Sequence, residues 1–107
     1  MDDEDIQDLF QSVGPVTIKR LFGGKGIYVD GMIVACYLRD ELMLKGDKEA
    51  APLYEATGSK QWTYTHSKSN KPVSMPYWPI PSEAFDDPDE AAKWIRIAVE
   101  AARRVGK

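Results

Sequence analysis

The amino-acid sequence predicts an α+β domain in which three helices pack against a mostly antiparallel sheet of about six strands. The predicted order is helix, four strands, helix, two strands, helix, which differs from the regular alternation of a parallel α/β fold. Short turn sequences join several of the strands. Because 43% of the 107 residues are apolar, the chain can build one hydrophobic core, and residues 1–107 are predicted to form a single domain.

The first helix and the first strand are predicted from the change in residue type near residue 14. Apolar residues recur at helical spacing in the first segment: Ile6, Leu9, Phe10 and Val13. Gly14-Pro15 then ends the helix. The next segment, VTIKRLF at 16–22, is rich in β-branched and aromatic residues and predicts a strand that runs into a glycine cluster.

The next three strands are predicted as a meander. The segments GIYV at 26–29 and MIVACYL at 32–38 flank Asp30-Gly31, whose residue types suit a type I′ hairpin turn. A second turn at 39–41 leads into LMLK. The strand at 32–38 is apolar on both faces, so it is predicted to lie in the centre of the sheet, with Cys36 packed as a small hydrophobic residue.

A second helix and a second hairpin are predicted between residues 47 and 78. The segment at 47–59 has an acidic start, several alanines and Gly58 as a stop. The segments QWTYTH at 61–66 and VSMPYW at 73–78 both alternate in polarity, which is typical of paired strands. Pro76 lacks a backbone donor and therefore predicts an edge or a bulge in the returning strand.

The last helix is predicted from Asp87 as N-cap and Pro88 as the first helical residue. Basic residues at its end complement the helix dipole. The predicted buried stripe consists of Ala91, Trp94, Ile95, Ala98, Ala102 and Val105.

Composition narrows the class of protein. A formal net charge of -3 and a pI near 5.1 make DNA binding by the chain alone an unfavourable hypothesis, because phosphate contacts depend on Lys and Arg. One cysteine cannot form an internal disulfide, the acidic N-terminal segment differs from a signal peptide, and no apolar run is long enough to cross a membrane. We therefore expect a cytoplasmic protein.

The sequence predicts no catalytic residues, no metal site and no cofactor. His66 is the single histidine and Cys36 the single cysteine, so the usual zinc ligand sets cannot be assembled. No serine lies in a nucleophile-elbow pattern. A Cys-His pair would need an exposed Cys36, which its predicted strand disfavours.

The glycine cluster lacks both the P-loop spacing and the dinucleotide-binding spacing, and a strand follows it instead of a helix. A bend between two strands is therefore the preferred interpretation. Lys19, Arg20 and Lys25 surround these glycines, so an anion or an acidic partner could dock there. The aromatic residues Trp62, Tyr64, Tyr77 and Trp78 are expected to be core, with a binding platform as the alternative.

Several segments together resemble the N-terminal domain of TfoX/Sxy proteins: Arg20-Leu21-Phe22-Gly23-Gly24, Gly26-Ile27-Tyr28, Asp30-Gly31, LMLK and MPYW. The resemblance covers nearly the whole chain. It implies an α/β fold with a mostly antiparallel sheet, no enzyme activity, and a role in regulating natural competence genes in bacteria together with the cyclic-AMP receptor protein. The longer regulators of this family carry a second, helical domain, whereas this chain ends at Lys107, which predicts a stand-alone domain.

Two functional hypotheses follow. In the first, a regulatory module contacts a transcription factor or RNA polymerase through a basic rim formed by Lys19, Arg20, Lys25 and Lys45. In the second, a small anionic ligand binds at the glycine bend with Tyr28 and Trp78. The candidate contact residues of both are Lys19, Arg20, Phe22, Gly23, Gly24, Lys25, Gly26, Tyr28, Lys45, Tyr77 and Trp78. An exposed sheet edge also makes a homodimer a reasonable hypothesis.

Overall fold

The computed structural model describes residues 1–21, 23–65, 68 and 70–105. Its helices in these ranges are α1 (Asp3–Leu9), α2 (Ala51–Glu55) and α3 (Pro88–Val105), with short 3₁₀ turns at Gln11–Val13 and Ser82–Phe85. Its strands there are β1 (Thr17–Leu21), β2 (Gly24–Val29), β3 (Met32–Leu38), β4 (Glu41–Lys45), β5 (Thr63–Thr65), β6 (Pro72–Ser74) and β7 (Tyr77–Pro79). The predicted α+β class and the element order are confirmed.

The main sheet has the strand order β1-β2-β3-β4-β7, and each neighbouring pair is antiparallel. The strands β5 and β6 form a separate two-stranded arm. The predicted last strand is divided into β6 and β7, because Pro76 has no N–H for a ladder and the N–H of Tyr77 donates to the carbonyl of Met75 at 2.8 Å. Pro79, which follows the predicted strand at 73–78, also lies within β7, opposite Met43 of β4.

Two tight turns connect the meander at opposite ends of the central strand. Asp30 and Gly31 have φ values of 51° and 79°, which confirms the predicted type I′ geometry. Arg39 and Asp40 adopt the same left-handed region, with φ values of 50° and 63°, although neither is glycine. This second turn therefore holds a basic side chain in an unusual backbone conformation.

One face of the main sheet, the helix face, packs against α1, α2 and α3. The largest core cluster lies here and joins Trp94, Ile95 and Ala98 of α3 to strand residues such as Ile27 and Leu44. The predicted stripe of α3 is confirmed except at Val105, which is 50% exposed. Residues 103–105 are all exposed, so the last turn of α3 extends beyond the core.

The other face, the hairpin face, packs against the base of the β5–β6 arm. Its cluster consists of Cys36, Leu38, Met43 and Tyr77, with Trp62 and Met75 packed on it. A bulge interrupts the alternation of side chains in β3, because Ile27 pairs with Ala35 while Tyr28 pairs with Ile33. Two consecutive residues, Val34 and Ala35, therefore both belong to the helix-face core. The central position of Cys36 is confirmed.

Candidate functional site

The glycine cluster forms the tight connection between β1 and β2. Leu21 pairs with Gly24 across a two-residue link, and Gly23 has a φ of 79°. A β-carbon on Gly24 would overlap the carbonyl oxygen of Tyr37 and the Leu38 side chain. The predicted bend between two strands is confirmed, and the structure shows in addition that Gly24 permits close packing of β2 against β3. Phe22 and His66 lie outside the described residues.

The predicted basic rim is divided between the two faces of the sheet. Arg20 lies opposite Lys25 across the β1–β2 ladder, and both side chains are on the helix face. Lys19 is opposite Gly26 and points to the hairpin face, where its Nζ lies 5.1 Å from the centre of the Tyr28 ring. Lys45 is also on the hairpin face, opposite Tyr77. The structure thus brings Arg20 and Lys25 together and separates them from Lys19 and Lys45.

An open groove of about 490 Å³ lies on the helix face beside the glycine bend, and we call it the basic groove. It is lined by Asp3, Ile18, Arg20, Gly23, Gly24, Lys25, Tyr37, Arg39 and Asp40. The Nζ of Lys25 bonds Oδ1 of Asp3 at 2.6 Å. Among the described residues, neither Arg20 nor Arg39 forms an ion pair. With three cations and two carboxylates, the groove carries an excess positive charge in an otherwise acidic chain.

Tyr37 forms the polar floor of the basic groove. Its hydroxyl donates to Oδ1 of Asp40 at 3.3 Å, and the same hydroxyl accepts from the amino group of Met1 at 2.9 Å. Partial burial and the neighbouring Asp40 carboxylate raise the pKa of the Tyr37 hydroxyl. Tyr37 therefore stays neutral, and its hydroxyl links the amino group of Met1 to the carboxylate of Asp40.

Two predicted contact residues, Tyr77 and Trp78, are buried. They are 5% and 4% exposed. Trp78 stacks on Tyr54 with ring centres 5.7 Å apart, and its indole N–H donates to Oε2 of Glu55 at 3.1 Å. Tyr77 lies beneath Lys45, whose Nζ is 5.3 Å from the ring centre, and burial lowers the pKa of Lys45. Both rings belong to the core, so in this conformation neither can contact a partner.

A second groove of about 740 Å³ lies on the hairpin face between the main sheet and the β5–β6 arm. Its apolar lining consists of Leu38, Met43, Trp62, Tyr64 and Met75. Arg39 and Gly23 line both this groove and the basic groove. Sequence reasoning treated Arg39 only as part of a turn. The available signal was its position in the turn that ends β3, at the same end of the sheet as the glycine bend.

The described residues contain no group of three or more His, Cys, Asp or Glu side chains that could hold a metal ion. Cys36 is fully buried, and burial raises the pKa of its thiol to about 12. In the same part of the chain, no helix has both the length and the apolar character needed to cross a membrane.

The comparison with protein families agrees with this architecture. The model described as TfoX N-terminal domain matches residues 8–102, which include every strand and most of α3. The search of curated proteins found no match to this chain. The match covers nearly the whole chain and includes the lining of both grooves except Asp3.

Proposed function

We propose that this chain, which belongs to the TfoX N-terminal domain family, is a non-catalytic regulatory module that contacts a protein partner in transcription through the basic groove. The partner is a transcription factor, in the first place the cyclic-AMP receptor protein, or RNA polymerase. Natural competence is the process that the family resemblance suggests. Such a role places the protein in the cytoplasm, where the transcription machinery is.

The observation that carries this proposal is the opposition of Arg20 and Lys25 across the β1–β2 ladder. Like charges directly opposite each other in an antiparallel pair are destabilising. Asp3 pairs with Lys25 and offsets part of its charge, while Arg20 is exposed and forms no ion pair among the described residues. A carboxylate from a partner would relieve this repulsion and form a charge-assisted hydrogen bond with the guanidinium.

The charge of the chain favours a protein partner over DNA. The formal net charge is -3, so a DNA backbone would be repelled overall, whereas an acidic patch on a protein needs only the local excess of the basic groove. The burial and raised pKa of Cys36 leave no activated thiol, which supports a binding role.

The proposal is tested by measuring the Kd of the domain for purified cyclic-AMP receptor protein and purified RNA polymerase by biolayer interferometry. Arg20→Glu reverses the charge in the groove, and Arg96→Glu makes the same change on the exposed side of α3. We expect Arg20→Glu to weaken binding at least about tenfold, corresponding to about 1.4 kcal/mol. Arg96→Glu should bind like the wild type.

Two outcomes would count against the proposal. In one, the wild-type domain binds neither purified partner. In the other, Arg20→Glu and Arg96→Glu retain equal affinity, which would place the interface away from the basic groove.

A second candidate function is the binding of a small anionic ligand in the same groove. It is favoured by Gly23 and Gly24 in the lining beside Arg20 and Lys25, since glycines let an anion approach the backbone closely. Inorganic phosphate and a panel of nucleotides should then raise the Tm of the wild type and leave that of Arg20→Gln unchanged. Equal shifts in both proteins would assign the ligand to another surface.

A further inference from the structure

We propose that β1 receives an extended acidic segment of the partner as an additional strand, so that the main sheet gains a sixth member beside β1. This inference rests on the proposed function and specifies how the partner is bound. In the described structure β1 is an edge strand whose single ladder partner is β2. Thr17, Lys19 and Arg20 of this strand are exposed.

The register of the β1–β2 hairpin determines which backbone groups of β1 point away from the sheet. Leu21 and Gly24 close a two-residue connection, so they form a hydrogen-bonded pair. Hydrogen-bonded and non-hydrogen-bonded pairs alternate along an antiparallel ladder. Lys19 and Thr17 therefore bond to β2, whereas the N–H and C=O groups of Ile18 and Arg20 point outward.

Val16, the residue before β1, shows that the outward-pointing backbone groups can bind a strand-like partner. The side-chain amide of Gln7 donates through Nε2 to the carbonyl of Val16 at 2.8 Å, and its Oε1 accepts from the N–H of Val16 at 3.1 Å. This pair of bonds reproduces the contact of a neighbouring strand. Val16 is two residues before Ile18, so its backbone groups point to the same side. The Gln7 amide thus occupies the first position of the row, and the positions of Ile18 and Arg20 remain available.

The charges on β1 select the occupant. Lys19 extends over the hairpin face and Arg20 over the helix face. In a strand alongside β1, consecutive side chains also alternate between the faces, so one would lie next to Lys19 and the following one next to Arg20. Two consecutive acidic residues satisfy both. A second copy of this chain is disfavoured, because antiparallel pairing of two β1 edges through Ile18 and Arg20 sets Lys19 against Lys19.

The basic groove provides space for the added strand on the helix face. Ile18 and Arg20 are both in its lining. A side chain directed from the new strand toward this face would enter the groove beside Arg20 and Lys25. The main-chain hydrogen bonds between β1 and the added strand then provide affinity, and the basic groove provides specificity for carboxylate side chains.

The test uses the complete chain and the peptide acetyl-Thr-Val-Glu-Glu-Ile-Thr-amide. Amide hydrogen exchange is followed by NMR at a peptide concentration ten times its Kd. We expect exchange at Ile18 and Arg20 to slow about tenfold, in proportion to the bound fraction. Thr17 and Lys19 already donate to β2, so their exchange should change little. Equal effects at all four amides, or none at Ile18 and Arg20, would overturn the proposal.

A second peptide separates strand addition from simple charge attraction. It carries the same glutamates with N-methyl groups on their backbone nitrogens, which removes two donors without altering the charge. We expect it to bind about tenfold more weakly. Equal binding of the two peptides would overturn strand addition.

Variants of the chain distinguish this inference from the proposed function. Arg20→Pro and Arg20→Gln both lack the charge, but Arg20→Pro also lacks the outward N–H, which an edge strand tolerates. For the purified partner, we expect Arg20→Pro to bind several-fold more weakly than Arg20→Gln, with circular dichroism confirming that both fold. If Arg20→Glu abolishes partner binding while Arg20→Pro equals Arg20→Gln, the proposed function stands and strand addition fails. If Arg20→Pro does not fold, the exchange pattern of the wild type decides.

Discussion

Arg20 and Lys25 stand opposite each other on the helix face of the β1–β2 ladder, and only Lys25 has an ion-pair partner within the described residues. The Nζ of Lys25 is 2.6 Å from Oδ1 of Asp3. The same residue, Arg20, is thus a source of local repulsion in the fold and the main candidate for contact with a partner. Stability and binding should respond to its substitution in opposite directions.

Arg20→Glu should stabilise the domain by about 0.5 kcal/mol, because a glutamate opposite Lys25 replaces repulsion with a cross-strand ion pair. Urea unfolding monitored by tryptophan fluorescence measures the change. Arg96→Glu is the matched control and should alter stability less. If Arg20→Glu lowers the free energy of unfolding, the cross-strand pair of Arg20 and Lys25 does not destabilise the wild type by charge repulsion.

Gly24→Ala should destabilise the domain by about 2 kcal/mol, because the new methyl group would overlap the Tyr37 carbonyl and the Leu38 side chain. Gly23→Ala provides the control. Its β-carbon meets no atom within 4 Å, but a φ of 79° strains any side chain, so a cost of about 1 kcal/mol is expected. Thermal unfolding of both variants tests whether packing or backbone strain determines the glycine at each position.

Trp78→Phe should cost about 1 kcal/mol more than Trp94→Phe. Both residues are buried and lose a similar volume, but the indole N–H of Trp78 donates to Glu55 at 3.1 Å. The indole N–H of Trp94 is buried without a hydrogen bond in the described structure, so its removal also removes an unsatisfied donor. Denaturant unfolding of the two variants gives the difference directly. Equal costs would contradict the assignment of these donors.

Asp47→Asn should destabilise the domain by about 1 kcal/mol at pH 7. Two oxygens of Asp47 accept from Arg104, at 2.5 Å from Nε and 2.9 Å from Nη2, and these bonds are the main cause that lowers the pKa of Asp47 to about 2. Because the folded pKa lies below the ordinary value of 3.8, the contribution is complete above about pH 4 and is lost as the pH falls toward 2.

The free energies of unfolding of the wild type and Asp47→Asn should therefore converge between pH 4 and pH 2. Glu49→Gln is the control, since Glu49 contacts the same Arg104 at 2.6 Å but its side chain is 70% exposed. We expect its effect to be a few tenths of a kcal/mol at most. A constant difference between wild type and Asp47→Asn across this pH range would exclude the carboxylate of Asp47 as its source.

Cys36 should be unreactive toward Ellman's reagent in the native protein. The side chain is fully buried, and with a thiol pKa of about 12 only about one molecule in ten thousand would carry a thiolate at pH 8. Labelling should therefore follow the unfolding rate and become fast in denaturant. Rapid stoichiometric labelling without denaturant would reopen the hypothesis of a catalytic thiol.

Local sequence signals were sufficient for most of the elements. The Asp30-Gly31 turn, the Asp87-Pro88 start of α3 and the apolar central strand depend on backbone preferences and on periodicity, which act over a few residues. The same signals failed where a local break redirected the chain. Pro76 predicted a bulge or an edge within one strand. In the structure the chain passes at Pro76 from β6 in the two-stranded arm to β7 in the main sheet, which depends on how the β5–β6 arm folds over the hairpin face.

For the candidate site, the sequence identified the cations around the glycine bend but not their arrangement. Side chains alternate between the faces of a strand, so the register of β1 against β2 decides that Arg20 joins Lys25 while Lys19 joins Tyr28. Arg39 was missed because its proximity to the bend results from the pairing of β2 with β3.

The sequence by itself determined the α+β class, the order of elements, the family resemblance and the absence of a second histidine or cysteine, because residue type, periodicity and turn preference are properties of short segments. The tertiary structure decided which of the expected core aromatics are buried: Tyr77 and Trp78 are, whereas Tyr64 is 44% exposed. It also decided that the basic rim is divided and that β1 is an edge strand, among the described residues, beside a positively charged groove. These features arise from strand register and from packing between distant segments. The physical reason is that burial and electrostatic environment depend on which residues meet across the fold.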